Sequence, residues 1–177
     1  MKDIEVITTS IDISAIRREV ESNKECWQNY TSALPIPFMQ TQSIAIIGPG
    51  NVDNKKDTHN DFFLSNEYCP TKYYPLFPVT IKTLTEQFAN LGRVGFVKLG
   101  PGNKVTPHVD RGEYFHKHKR YHLVIQGEYD YFVGDDMVRG VPGMLFTFNN
   151  HVMHWSHNVG SEDRIIIIFD EQLKKDV

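Results

Sequence analysis

The chain is poor in the features that would assign it a class at sight. It has only 2 cysteines in 177 residues, Cys26 and Cys69. They stand far apart and outside any zinc-ligand spacing, which excludes a disulfide framework and a zinc knuckle. Each is expected to be a small buried hydrophobe rather than a redox group. Neither sign of charge dominates: the net charge is −3, which argues against nucleic-acid binding through net charge and leaves only a local basic patch for it. No stretch approaches the roughly 18 apolar residues of a membrane helix. The longest apolar run, residues 165–169 (IIIIF), has the length of a buried strand. The N-terminus lacks the unbroken apolar core of a signal peptide. A cytoplasmic protein with no membrane or nucleic-acid partner is expected.

What the chain does contain is enough apolar material for one core. Hydrophobic residues make up 40% and aromatics 12%, and a chain of this size buries roughly 70% of its unfolded surface. Residues 1–177 are read as a single domain in which two regions differ in period. Residues 1–92 carry helical patterns and a loop. In residues 12–24 Asp12 can cap, and Ile13, Ile16 and Val20 recur at helical spacing. In residues 78–92 Ile81, Leu84, Phe88 and Leu91 repeat the pattern, and Gly92 is placed to stop the helix. A short strand is expected at 43–48. The polar segment 49–66 reads as a long loop and a candidate lid.

From residue 93 to 170 the chain turns into short strands separated by turn residues. These are RVGFVKL, KVTPHVD, RYHLVIQ, YDYFV, MLFTF, VMHWSHN and RIIIIF. Such spacing predicts a mainly β fold, a jelly-roll barrel with the N-terminal helices flanking it.

Histidine is concentrated in this region, with four of the chain's 8 histidines between residues 107 and 122. His108 and Asp110 share strand parity, so both side chains face one way, and Pro107 favours a strand end. An isolated His-x-Asp pair carries little weight, since about one is expected by chance in such a chain. A third ligand from another strand would complete the set of two histidines and a carboxylate that suits Fe(II) with open positions. Three candidates lie in residues 149–158: His151, His154 and His157. Arg164, ten residues after His154, opens an apolar strand, where a buried cation needs a partner. If that strand pairs with 152–158, both side chains point inward, and an anionic cosubstrate could bridge ion and guanidinium.

Together Cys69-Pro70-Thr71, LGPGNKVTPHVD, Arg120-Tyr121-His122-Leu123 and His154 with Asn158 and Arg164 resemble the Fe(II)/2-oxoglutarate-dependent oxygenases of the aspartyl/asparaginyl β-hydroxylase-like group. The resemblance spans roughly residues 69–170 and implies a double-stranded β-helix. It implies Fe(II) held by His108, Asp110 and His154, and 2-oxoglutarate held at its distal carboxylate by Arg164. It also implies His122 near the chelating carboxylate and Arg120 facing cosubstrate or substrate. Asp110 moves the likeness toward the free amino-acid hydroxylases and away from halogenases, which have a small residue there. Val97 stands where protein-modifying members carry a serine that helps hold the cosubstrate.

The implied reaction uses dioxygen to hydroxylate an unactivated C–H bond, with an amino acid, free or carrier-bound, as the expected substrate. A peptide or protein side chain is the alternative. A cupin-like metal-binding protein that does not use 2-oxoglutarate is the other. Trp155, Phe146 and Phe148 are candidate pocket walls, and Trp155 is counted with Arg120 as a substrate contact. His116 and His118 read as solvated loop residues, and His151 and His157 as bystanders.

Overall fold

The computed structural model describes residues 2–29, 36–49 and 67–173; the expected loop and lid, apart from Pro49, lie outside them. Among the described residues are the strands β1 (Ile4–Thr8), β2 (Gln28–Asn29), β3 (Thr41–Pro49), β4 (Tyr68–Pro70), β5 (Leu91–Leu99) and β6 (Lys104–His108). They continue with β7 (His118–Gln126), β8 (Tyr129–Val133), β9 (Asp136–Gly140), β10 (Leu145–Phe148), β11 (His154–His157) and β12 (Arg164–Gln172). The α-helices among the described residues are α1 (Ser14–Ser22), α2 (Pro78–Thr85) and the single turn α3 (Glu113–His116).

The last eight strands pair as a nest. β5 pairs with β12, β6 with β11, β7 with β10 and β8 with β9, all antiparallel. One long hairpin folded over on itself gives that order, and closing it produces two facing sheets: a double-stranded β-helix. The larger sheet runs β1-β10-β7-β12-β5-β3-β2 with β4 on β3, and the smaller runs β6-β11-β8-β9. Gly127 turns the chain between β7 and β8 at φ +75, and a Cβ there would come within 3.0 Å of the Arg164 Cα. A side chain at 127 would therefore push against the start of β12.

Side-chain alternation divides the large sheet into two faces. Ile44, Ile46, Val94, Phe96, Leu123, Ile125, Ile167 and Phe169 pack outward with Ile16 and Val20 of α1 and Leu84 of α2. The inner face joins Val124, Phe146, Phe148 and Ile166 to Tyr129 and Tyr131 of the small sheet. Glu19 of α1 joins the two helices by accepting hydrogen bonds from the Val79 and Thr80 N–H groups (2.7 and 2.9 Å). These orphan donors at the start of α2 are thereby satisfied.

Several expectations change. α2 stops at Thr85, and Leu91 and Gly92 belong to β5, because β12 extends to Gln172 and pairs Glu171 with Leu91. Ladder hydrogen bonds there override the helical period. The region before residue 93 is not only helical support: β3 lies beside β5, and β1 borders β10. β1 and β9 have no clear sequence signal because both are edge strands with exposed apolar residues, Val6 and Met137 among them. Cys26 is buried, but Cys69 is exposed, since β4 pairs only at the margin of β3.

Candidate metal centre

The site forms where β6 and β11 meet. His108 and His154 are direct partners across the antiparallel pair, with ring centroids 4.3 Å apart. Asp110 follows two residues later, beyond the end of β6, and its N–H donates to the Asn150 carbonyl (3.1 Å). One ligand atom from each of His108, Asp110 and His154 lies within 4.8 Å of the others.

The hydrogen bonds around the imidazoles select the tautomer. His108 Nδ1 lies 2.8 Å from the Thr106 carbonyl, and His154 Nδ1 lies 2.8 Å from the Val152 carbonyl. A carbonyl only accepts, so both Nδ1 atoms carry the proton and both Nε2 lone pairs are left for an ion. Burial lowers the pKa of both rings, to about 4 for His154, so the ligating neutral form persists well into the acid range. Phe38 and Phe148 pack edge-on against His108 and His154 respectively (5.0 Å each). Two neutral, oriented imidazoles and one carboxylate in this setting fit a divalent transition metal.

Arg120 reaches the same centre. Its Nη1 donates to Asp110 Oδ2 at 2.9 Å, while Nε and Nη2 donate to the two carboxylate oxygens of Asp170 at 2.8 and 3.0 Å. Burial alone would lower the Arg120 pKa, but Asp110 and Asp170 outweigh it and hold the guanidinium above its ordinary value. Its main partners are thus two carboxylates of the protein. A cleft beside this group is lined by Phe38, Ala45, Gly95, Val97, Phe115 and Ile168, with Arg120 and Asp170 also in its wall.

Arg164 opens β12 and is only 2% exposed. Its guanidinium lies 5.0 Å from the Tyr129 ring centroid. The Nε and Nη2 atoms are buried and lack a hydrogen-bond partner among the described residues. Unmet buried donors of a cation are costly, and burial pulls the Arg164 pKa down. These orphaned donors fit a small carboxylate. The expected pairing of β12 with β11 is not found: β12 lies between β5 and β7 in the large sheet. Arg164 and His154 therefore belong to opposite sheets, and both are buried.

His122 is also buried on the inner face, packed on Tyr131, Phe146 and Phe148 at 4.9–5.2 Å. Its pKa is pushed well down by burial first and then by the Arg164 charge. Tyr129 OH approaches its Nδ1 at 3.5 Å.

Other expectations are corrected. Trp155 alternates with His154 along β11 and stacks on Phe132 at 4.9 Å, so strand parity turns it away from the inner face and it lines no part of the cleft. His118 is not a solvated loop residue: it opens β7, is buried, and stacks on Tyr114 at 3.9 Å. His116 is exposed and stacks on exposed His151 (4.5 Å). His157 has the parity opposite to His154 and is half-buried. The residue that sequence reasoning misses is Asp170. It shares strand parity with Arg164 across RIIIIFD, a signal obscured by the apolar run between them.

The sequence matches the aspartyl/asparaginyl beta-hydroxylase family over residues 12–172. No curated protein matches it. Among solved structures it is similar to KdgF from a Halomonas species, with 17% identity, 87% of this chain and 94% of that chain covered, and a TM-score of 0.46. A predicted oxalate decarboxylase from Thermotoga maritima matches at 18% identity over 48% of this chain and 70% of that one, with a TM-score of 0.40. The cupin domain of Schizosaccharomyces pombe Cnp3 matches at 14% identity with a TM-score of 0.40. There the match covers 46% of this chain and just 56% of the Cnp3 domain. No helix among the described residues is long and apolar enough to cross a membrane. With the nested strand pairing setting the fold and the match extending from residue 12 to residue 172, the chain belongs to the aspartyl/asparaginyl beta-hydroxylase family.

Proposed function

We propose that this protein is an Fe(II)- and 2-oxoglutarate-dependent dioxygenase that hydroxylates an unactivated C–H bond of an amino acid, free or carrier-bound. The observation that carries the reading is Arg164, a buried guanidinium with unmet donors in a barrel whose opposite sheet presents the His108–Asp110–His154 cluster. A metal-binding barrel with no anionic cosubstrate has no use for that cation.

In this reading the Nε2 atoms of His108 and His154 and the Oδ1 atom of Asp110 hold the ion. When bound, iron and 2-oxoglutarate supply the oxidation of a C–H bond by dioxygen, with succinate and carbon dioxide as coproducts. Arg164 receives the distal carboxylate, and its fork geometry suits that group. His122, kept neutral by burial and by the neighbouring guanidinium, sits beside the cosubstrate without adding charge. Tyr131, Phe146 and Phe148 keep water from the interior, which strengthens each electrostatic contact made there. The substrate enters the cleft of Ala45, Gly95, Val97 and Ile168. There it meets Arg120, three of whose five N–H donors are taken by Asp110 and Asp170.

The test is succinate formation from 2-oxoglutarate by the iron-loaded protein, followed by a screen of amino acids. Turnover that requires Fe(II) and is abolished in Arg164→Ala supports the reading. A protein that binds the metal but has no measurable affinity for 2-oxoglutarate would be a metal-binding barrel of another kind, and the proposal would fail.

A further inference from the structure

Asp170 has no place in the mechanism above, yet its side chain is only 1% exposed and forms the shortest charged contact to Arg120. The arrangement is a chain of three groups. Asp170 and Arg120 are cross-strand partners on β12 and β7. Asp170 accepts two hydrogen bonds from one edge of the guanidinium, and Asp110 accepts one from the opposite side. Phe115 packs on the guanidinium face at 4.7 Å. The Arg120 carbonyl accepts the Thr147 hydroxyl at 2.8 Å. The Arg120 guanidinium is thus held along both edges by carboxylates and on one face by Phe115.

Stability alone gives a poor account of this chain. Burying an ion pair returns little or nothing relative to apolar side chains of the same volume, and the neighbouring inner positions Ile166 and Ile168 show that apolar residues fit this face. Asp110, by contrast, needs restraint. It lies past the end of β6, where its backbone is held by one hydrogen bond to Asn150. A free carboxylate there could bind an ion through both oxygens and occupy a position that dioxygen or substrate needs. The Arg120 contact engages Oδ2 and leaves Oδ1 as the single available donor.

We propose that Asp170 is a positioning residue for the metal centre: by orienting Arg120 it makes Asp110 a one-oxygen ligand and keeps a coordination position open. This rests on reading His108, Asp110 and His154 as a metal centre, and it does not require 2-oxoglutarate to be the cosubstrate. Partners one step beyond a ligand commonly change metal affinity by about 10–100-fold.

The test is Co(II) titration of the whole chain, following both affinity and the visible absorption of the bound ion, which reports coordination number. Asp170→Asn keeps the shape but weakens the fork. It is expected to bind Co(II) about tenfold more weakly, with an absorption change toward higher coordination. Glu171→Gln removes the neighbouring carboxylate, which faces away and bonds the Tyr121 hydroxyl (3.2 Å); it should leave both readouts at wild-type values. If Asp170→Asn does not fold, Arg120→Lys, which retains the charge without the fork, is expected to show the same spectral change. Wild-type affinity and spectrum in a folded Asp170→Asn or Arg120→Lys protein would overturn the positioning role while leaving the metal centre intact. Failure of the wild-type chain to bind Co(II) would instead remove the metal centre itself, and the positioning role with it.

Discussion

Along β12, Ile165, Ile167 and Phe169 enter the apolar layer beneath α1 and α2, whereas Arg164, Ile166, Ile168 and Asp170 face the small sheet. β7 divides in the same way, with Tyr121, Leu123 and Ile125 outside and Arg120, His122 and Val124 inside. One set of strands therefore has an apolar face that holds the fold and a face on which charged and titratable groups are buried. The outer face can be apolar throughout because helices cover it. The inner face includes groups that are costly to bury, and the proposed function accounts for them as groups that act on the ion or on what binds beside it. Removing an outer residue should cost stability, whereas removing an inner charge should cost binding.

The largest effect is expected for Phe169→Ala. Phe169 is fully buried and packs between Phe88 (4.7 Å) and Tyr121 (5.1 Å). Urea unfolding should show a loss of about 3–5 kcal/mol, while the folded fraction still binds metal. Next is Arg164→Met, for which 2-oxoglutarate binding measured by calorimetry should weaken by about 2 kcal/mol or more. Its urea midpoint should stay level or rise, because a buried cation with two unmet donors is replaced by an apolar chain. A drop in stability on the scale of Phe169→Ala would show that the two faces are not distinct.

The third expectation concerns pH. The folded pKa of His154 is lowered from 6.5 to about 4, and those of His108 and His122 are also lowered. Between pH 6.5 and about 4 the unfolded chain binds more protons than the folded one, so stability rises with pH across that window and levels off above it. For the metal-free protein, His154 alone should cost about 1–2 kcal/mol between pH 7 and pH 5. His154→Phe should flatten the urea-unfolding profile by that amount, and an unchanged profile would mean that His154 is solvated. The smallest effect is expected for His157→Ala, within about 0.5 kcal/mol of wild type and with metal retained, whereas His154→Ala loses the metal. The opposite result would mean that the register of β11 is shifted by one residue.

Short strands with turns between them are legible in the sequence, and so is the His-x-Asp spacing of His108 and Asp110, although β6 ends at His108 and Asp110 lies beyond it. Trp155 stands beside His154 in the sequence, where an aromatic suggests a pocket wall, but alternation along β11 sends it to the other side. Asp170 stays hidden because its partner, Arg120, is fifty residues away and is reached only through the β7–β12 register. The end of α2 is obscured for a similar reason. The apolar period of residues 81–91 is real, but a strand from the far end of the chain claims Leu91.

The sequence by itself determined the mainly β character and the segments that carry His108, Asp110 and His154, because these depend on alternation and turn chemistry within a few residues. Only the tertiary structure decided which strands are neighbours, that Arg164 stands in the sheet opposite His154, and that Asp170 reaches Asp110 through Arg120. Those relations depend on how a nested hairpin closes, a matter of packing between distant segments that no local pattern encodes.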